Sequence, residues 1–530
     1  MPPSATAEDE RGLGVRGPVL LLLLTAALLL LRLGTTPLLG PDEPRYARVA
    51  VEMHRAGEWV TPTLAGEPWL EKPALYYWLA GAAFSLFGET EAAARLPSVA
   101  AGVLFVGATA LFGARLFGRT AGLHAGFVLA TSLLPFAFGR AATMDMLLAA
   151  FVTVSIGLFG LGLLGIAGRL AIPVAWASMG LAALAKGPVG LLLPGLVVGA
   201  FALIARDGRA VRRALSPAGI ALFSCVAGPW YALVYRAQGD AFVDVFLLNH
   251  NLARFTSTVH HHPGPFLYYV PILLAGIFPW SGLVLPALAG ARPRGSRERL
   301  FVLLWLIVPF VFFSAAGSKL PGYVLPCLPP LALLVGRAAA RLSREPGAFA
   351  PWAGPQAVTA VCVLLGSLVA ATPLLLLRMH EPGWILLVPA GLWAAIVVVS
   401  ASAWLARDPA GAFRLLRIGG AGLLLLVSMS APPILARQQS GRDLFLRAQG
   451  RQVLVWGAWR TAWMSGYFYN DGRVREVAGL PALFDAARGG PALVLAGRSE
   501  RRQLEAVVAL RSSALATDAH GDTLLSVELR

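Results

Sequence analysis

The run Leu191-Leu192-Leu193-Pro194-Gly195-Leu196-Val197-Val198-Gly199-Ala200-Phe201-Ala202-Leu203-Ile204 carries no charged side chain. It sits within a window, 188 to 205, close to the roughly 20 residues a helix needs to cross a bilayer. Val19 to Leu31, Val358 to Leu377 and Gly419 to Val427 repeat the pattern. One such run reads as a signal peptide, but so many do not. Across 530 residues, 57% are hydrophobic and 14% charged, whereas soluble domains carry about 25% charged residues. These proportions exclude a soluble fold and predict an all-α polytopic membrane protein. The 20-residue criterion gives about 13 transmembrane helices. They fall roughly at 17 to 37, 92 to 114, 120 to 138, 143 to 167, 170 to 185, 188 to 205, 214 to 235, 266 to 288, 300 to 316, 321 to 336, 355 to 378, 383 to 406 and 415 to 436.

A formal charge of +16 would suggest nucleic acid in a soluble protein. Here the basic residues lie in short loops between apolar spans, which excludes a nucleic-acid partner and sets topology instead. Arg115 and Arg119; Arg206, Arg209, Arg212 and Arg213; Arg292, Arg294, Arg297 and Arg299; Arg337, Arg341 and Arg344; and Arg407, Arg414 and Arg417 occupy alternate loops. A cytoplasmic tail, 1 to 16, then precedes a membrane domain, 17 to 436. Two long loops, 38 to 91 and 236 to 265, and the segment 437 to 530 fall on the periplasmic side. That last segment alternates β-like runs (Gln452 to Trp456, Ala492 to Ala496, Thr523 to Leu529) with helical ones (Leu480 to Arg488, Glu500 to Leu510). It reads as a small extramembrane α/β domain, a structural or partner-contact cap with no nucleotide loop, metal motif or nucleophile elbow. Cys225, Cys327 and Cys362 lie in apolar stretches and read as small buried hydrophobes.

Charged residues beside the spans are the candidates for chemistry. The first outer loop opens Gly40-Pro41-Asp42-Glu43-Pro44-Arg45-Tyr46-Ala47-Arg48. Its acids suit a helix start, where they complement the dipole; two carboxylates at a membrane exit are also costly unless solvated, paired or functional. Glu71-Lys72-Pro73-Ala74-Leu75-Tyr76-Tyr77-Trp78 reads as an interfacial helix, and Lys72 as a point charge suited to a lipid-linked phosphate. Asp145, Lys186 and Lys319 sit at or near outer ends of spans, on the side of the acidic loop. In the second outer loop His260-His261-His262 reads as solvated. His250, with Glu71 as a second ligand type, makes a set that suits zinc or another divalent ion.

The motifs Asp42-Glu43-Pro44-Arg45-Tyr46-Ala47, Glu71-Lys72-Pro73, Ala94-Arg95-Leu96-Pro97, Asp145 with Leu147, Ala185-Lys186-Gly187-Pro188, His250-Asn251 with Arg254-Phe255, Phe278-Pro279-Trp280 and Ser318-Lys319-Leu320-Pro321-Gly322-Tyr323 occur in a telling order. Over residues 15 to 435 the chain resembles the bacterial lipid A aminoarabinose transferases, kin of the protein O-mannosyltransferases among the GT-C membrane glycosyltransferases. The resemblance implies transfer of a sugar, with inversion, from a polyprenyl phosphate to a periplasmic acceptor. That acceptor is lipid A, another envelope glycan or a protein hydroxyl. It further implies a catalytic Asp42 with Glu43 adjoining, Asp145 as a further acid, and a carrier-phosphate grip from Lys72, Arg254, Lys319 and Tyr323. Arg45 and Lys186 are counted with that grip. Glu71 and His250 correspond to positions for a divalent metal (Zn, Mg or Mn), and no nucleotide is implied. A transporter or flippase is the rival class, but its sites sit near the midplane on broken helices, often with repeats. These motifs gather on outer loops.

Overall fold

The computed structural model describes residues 15–253, 255, 264–291, 295–344, 391, 408–507 and 509–529. Arg254, the His260 to His262 run and the expected spans at 355 to 378 and 383 to 406 lie outside the described residues.

The apolar windows form helices. They are α1 (Arg16–Leu30), α2 (Asp42–Ala56), α3 (Leu75–Phe87), α4 (Glu91–Phe117), α5 (Arg119–Ala130), α6 (Leu133–Gly139), α7 (Asp145–Leu163), α8 (Ala171–Lys186) and α9 (Val189–Ile204), followed by α10 (Pro217–Gln238), α11 (Arg297–Ala315), α12 (Leu328–Arg344) and α13 (Pro409–Gln439). Among the described residues six helical stretches are long and apolar enough to span a membrane alone, and two bent pairs raise the number to eight. Apolar side chains such as Leu20, Leu23, Leu203, Ile307 and Val311 stay exposed on these helices. Lipid tails, as apolar as leucine, cover such a surface at no cost.

Two expected spans are broken helices rather than straight crossings. The 120 to 138 window bends by 63° between α5 and α6, and the 266 to 288 window bends by 117° between Phe266–Gly276 and Ser281–Ala289. The chain cannot leave backbone groups unsatisfied at such depth, and the two breaks supply each other. Leu133 N–H donates to the Phe278 carbonyl (3.1 Å), Ser132 Oγ to that of Ile277 (3.3 Å), and Trp280 Nε1 to Thr131 Oγ1 (3.0 Å).

Between α1 and α4 the chain folds as an outer layer of α2, a short hairpin of β1 (Thr63–Leu64) and β2 (Glu67–Pro68), and α3. The acids Asp42 and Glu43 lie in the first turn of α2, and Gly57 ends it in a left-handed conformation. The C-terminal segment folds into a five-stranded sheet. Its strands are β3 (Val453–Trp456), β4 (Val474–Glu476), β5 (Ala492–Ala496), β6 (Leu510–Thr517) and β7 (Thr523–Leu529), in the order β4-β3-β5-β7-β6. β3 runs parallel to β4 and β5; β7 is antiparallel to β5 and β6. Alternate residues face two small cores, Val453, Val455, Leu493 and Leu495 on one side and Leu454, Val494 and Leu525 on the other. The sequence reading lacks β4 and β6 and carries a helix on to Leu510, whereas the helix there, Arg498–Glu505, stops short. Both missed strands are sheet edges and mostly exposed, so neither shows the apolar alternation that marks a half-buried strand.

Candidate active site

Asp42 and Glu43 are neighbours in sequence with separate fates. The Glu43 side chain is buried against Arg95, Oε2 to Nη2 at 2.7 Å. Oε1 accepts from Arg95 Nε (3.2 Å) and Ala142 N–H (2.6 Å), and Oε2 also accepts from Leu39 N–H (2.7 Å). Arg95 in turn donates to the carbonyls of Leu33, Thr36 and Pro37. With both oxygens so occupied, Glu43, expected as a catalytic carboxylate adjoining Asp42, ties α2, α4 and the Ala142 turn together. Arg95 stands in the Ala94–Pro97 motif without a role of its own in the sequence, although an arginine inside an apolar span demands a partner.

Asp42 leaves its side chain 46% exposed and is held by Arg45 Nη2 at 2.5 Å. Arg45 also donates to the Pro41 carbonyl (3.0 Å) and lies against the rings of Tyr46 and Trp69. Burial alone would lower its pKa; the nearby Tyr46, Asp42 and Glu71 outweigh that and raise it, so the guanidinium stays charged. Arg45, counted above with the phosphate grip, is thus engaged with Asp42.

A cavity of about 380 Å³ opens near this loop. Glu71, Lys72, Lys186, His250, Asn251, Ser318 and Tyr323 supply its polar lining, while Leu148, Val189, Leu192, Leu247, Phe312 and Phe313 are among its apolar walls. Lys72 is buried and donates to the Glu71 carbonyl at 3.1 Å. Glu71 Oε1 stands 3.6 Å from His250 Nε2. Two ligands of a tetrahedral ion at roughly 2.0 to 2.1 Å sit only slightly closer together than this, so the pair fits as half of such a set. Among the described residues no third His, Cys, Asp or Glu joins them.

Lys186 ends α8, where Gly187 turns the chain at φ +90° and Pro188 leads into α9. Only glycine takes that conformation freely, so the corner that presents the lysine depends on it. Asp145, in the first turn of α7, contacts Lys186 Nζ at 2.5 Å, and the ammonium lies 4.9 Å from the Tyr323 ring centroid. Acid at a helix start and base at a helix end both complement the dipoles. Asp145, expected as a further acid, is thus paired with Lys186. Lys319, counted with the phosphate grip, is buried and donates to the Ala316 carbonyl at 2.5 Å; its neighbours Ser318 and Tyr323 line the cavity, and it does not. The apolar walls from Phe312 and Phe313 carry no sequence signal that separates them from ordinary core.

The family described as dolichyl-phosphate-mannose-protein mannosyltransferase matches residues 71–231. A protein of Proteus mirabilis named undecaprenyl phosphate-alpha-4-amino-4-deoxy-L-arabinose arabinosyl transferase 2 is 33% identical over 330 residues, covering 61% of this chain and 59% of its own length. A transferase of the same name, without the number, from Yersinia enterocolitica is 34% identical over 331 residues, covering 60% and 58%. The match thus spans about three fifths of the length of these relatives. The crystal structure of ArnT from Cupriavidus metallidurans bound to undecaprenyl phosphate superposes with a TM-score of 0.81 at 24% identity, over 97% of this chain and 98% of that one. The fold is therefore the ArnT-like GT-C membrane fold with a small C-terminal sheet domain, and the resemblance carried by the motif order is the one these comparisons return.

Proposed function

We propose that this chain is a membrane glycosyltransferase that moves a sugar, 4-amino-4-deoxy-L-arabinose or a related pentose or hexose, from undecaprenyl phosphate to a cell-envelope acceptor such as lipid A. The carrying observation is the cavity. Its apolar walls suit a polyprenyl chain, and its polar end gathers Lys72, Lys186 and Tyr323 for a phosphate. The names of the relatives and the lipid bound to the Cupriavidus protein support the same donor.

In this reading the acceptor oxygen attacks the anomeric carbon, the bond to the phosphate oxygen breaks, and its electron pair leaves with the polyprenyl phosphate. Configuration inverts. Lys72, Lys186 and Arg254 supply fixed positive charge as the leaving phosphate gains negative charge, and each such donor typically contributes about 3 to 4 kcal/mol. Asp42 takes the proton of a neutral hydroxyl, or orients an acceptor that is already an anionic phosphate. Arg45 holds Asp42, and Asp145 holds Lys186. Glu71 and His250 would hold a divalent ion, which when bound polarises a phosphate oxygen. The alternating arginine loops support about 13 crossings with a cytoplasmic N-terminus and a periplasmic C-terminal domain.

Two measurements test the reading. Purified chain in vesicles with undecaprenyl-phosphate sugar should transfer it to lipid A. Mass spectrometry of lipid A, glycoproteins and envelope glycans from a deletion strain should show one class losing the sugar. Loss from glycoproteins alone would replace lipid A by a protein hydroxyl, and loss from none would sink the transferase.

A further inference from the structure

The C-terminal domain has no place in the chemistry above, yet its contacts converge on the residues just before Asp42. Three consecutive backbone N–H groups there find acceptors. Leu38 N–H donates to Tyr469 Oη at 2.7 Å, Leu39 N–H to Glu43, and Gly40 N–H to the Gln439 carbonyl at 2.8 Å. Two of the three acceptors therefore belong to the C-terminal segment, Gln439 as the last residue of α13 and Tyr469 from the domain itself. Gly40 packs so closely on Thr461 that a side chain would collide with the Thr461 carbonyl. Tyr469 Oη completes its valence by donating to Glu91, the first residue of α4, at 3.1 Å, and Arg442 approaches the same carboxylate at 3.5 Å. Farther along α2, Arg48 pairs with Asp471, to which Arg55 Nη1 also donates at 2.9 Å.

These contacts bracket Asp42, whose helix begins without a side-chain cap. We infer that the C-terminal domain is a positioning element for the catalytic carboxylate, with Tyr469 fixing the Leu38 backbone beside the Gln439 tether of Gly40, and Asp471 fixing α2. The inference rests on Asp42 having the role given it above. Burial first, and the Glu91 carboxylate second, push the Tyr469 phenol above its usual pKa, so it keeps the proton it donates. Partial burial alone would raise the Asp471 carboxyl, but the Arg48 and Arg55 guanidiniums hold it below the usual carboxylate range, and the clamp stays charged. A catalytic group displaced by about 1 Å can cost on the order of 100-fold in rate. Tethers on both sides of Asp42 therefore bear on turnover, while the cavity that takes the lipid phosphate is lined by other residues.

The test uses the full chain in vesicles with Tyr469→Phe, which removes one oxygen, and Asp471→Asn, which removes one charge at an exposed pair. For Tyr469→Phe, kcat should fall by roughly 10-fold to 100-fold, with KM for the lipid-linked sugar and binding of undecaprenyl phosphate unchanged. Amide hydrogens in the peptide 38–48 should exchange faster while those of the spanning helices do not. Asp471→Asn should shift the same two readouts by less. Wild-type kcat in Tyr469→Phe overturns the inference, and so does a change in KM or lipid binding that accompanies the loss of kcat. Asp42→Asn in the same assay separates the two levels: full activity there removes Asp42 from the chemistry and this positioning role with it. An inactive Asp42→Asn beside an unaffected Tyr469→Phe removes only the positioning role.

Discussion

Asp42 and Glu43 differ by one methylene and sit one position apart, and successive residues of a helix point about 100° apart. That rotation sends Glu43 into the Arg95 network and leaves Asp42 half-exposed beside Arg45. Substitution separates the two. Asp42→Asn keeps the shape of the side chain, and α2 has no side-chain cap to lose, but asparagine cannot take a proton. Transfer should fall by about 100-fold to 10,000-fold, the usual cost of a lost general base, with unchanged elution and melting. Turnover close to wild type would leave Asp42 as a helix start and nothing more. Glu43→Gln should behave in the opposite way. It strands Arg95 without its counter-charge in a buried site, and breaking such a pair typically costs about 3 to 5 kcal/mol. Thermal melting of the purified protein should therefore drop clearly, and an unshifted melting curve would remove the buttress role.

Among the helices, the close pair α4 and α5 shows how little room the bundle leaves. Gly122 in α5 lies directly on the backbone of Ala110 and Ala114 in α4, and a Cβ there would overlap it; Gly113 faces Gly122 across the same crossing. Small residues let helix backbones meet where lipid gives no hydrophobic drive to association. Gly122→Leu should force the pair apart, lowering the yield of monodisperse protein in detergent, whereas Gly199→Leu, with open space around it among the described residues, should be tolerated. Equal behaviour of the two would show that the crossing is not sterically set. The bent spans belong to this scale as well. Pro279 and the Thr131-Ser132 pair are visible in the sequence, but that each break answers the other's free backbone groups is a property of two segments packed together.

For the whole molecule, the proposed topology puts every functional motif on one face. Reporter fusions after Arg213, Arg299 and Arg344 should all report a cytoplasmic location, because the arginine-rich loops are retained on that side. A periplasmic signal from all three would invert the topology and put the motifs on the cytoplasmic face, away from a periplasmic acceptor.

Apolar windows of about 20 residues were readable without coordinates because lipid imposes its demand on every residue of a crossing, so the signal is local and continuous. The charged residues at the span ends were legible for the same reason: in an apolar chain each stands out as a cost that needs an explanation. Partnership was not legible. Glu43 meets Arg95 across 52 positions, Lys186 meets Asp145 across 41, and Leu38 meets Tyr469 across 431. No periodicity links such pairs, and only the packed chain decides which carboxylate is consumed by its neighbours and which is left half-exposed.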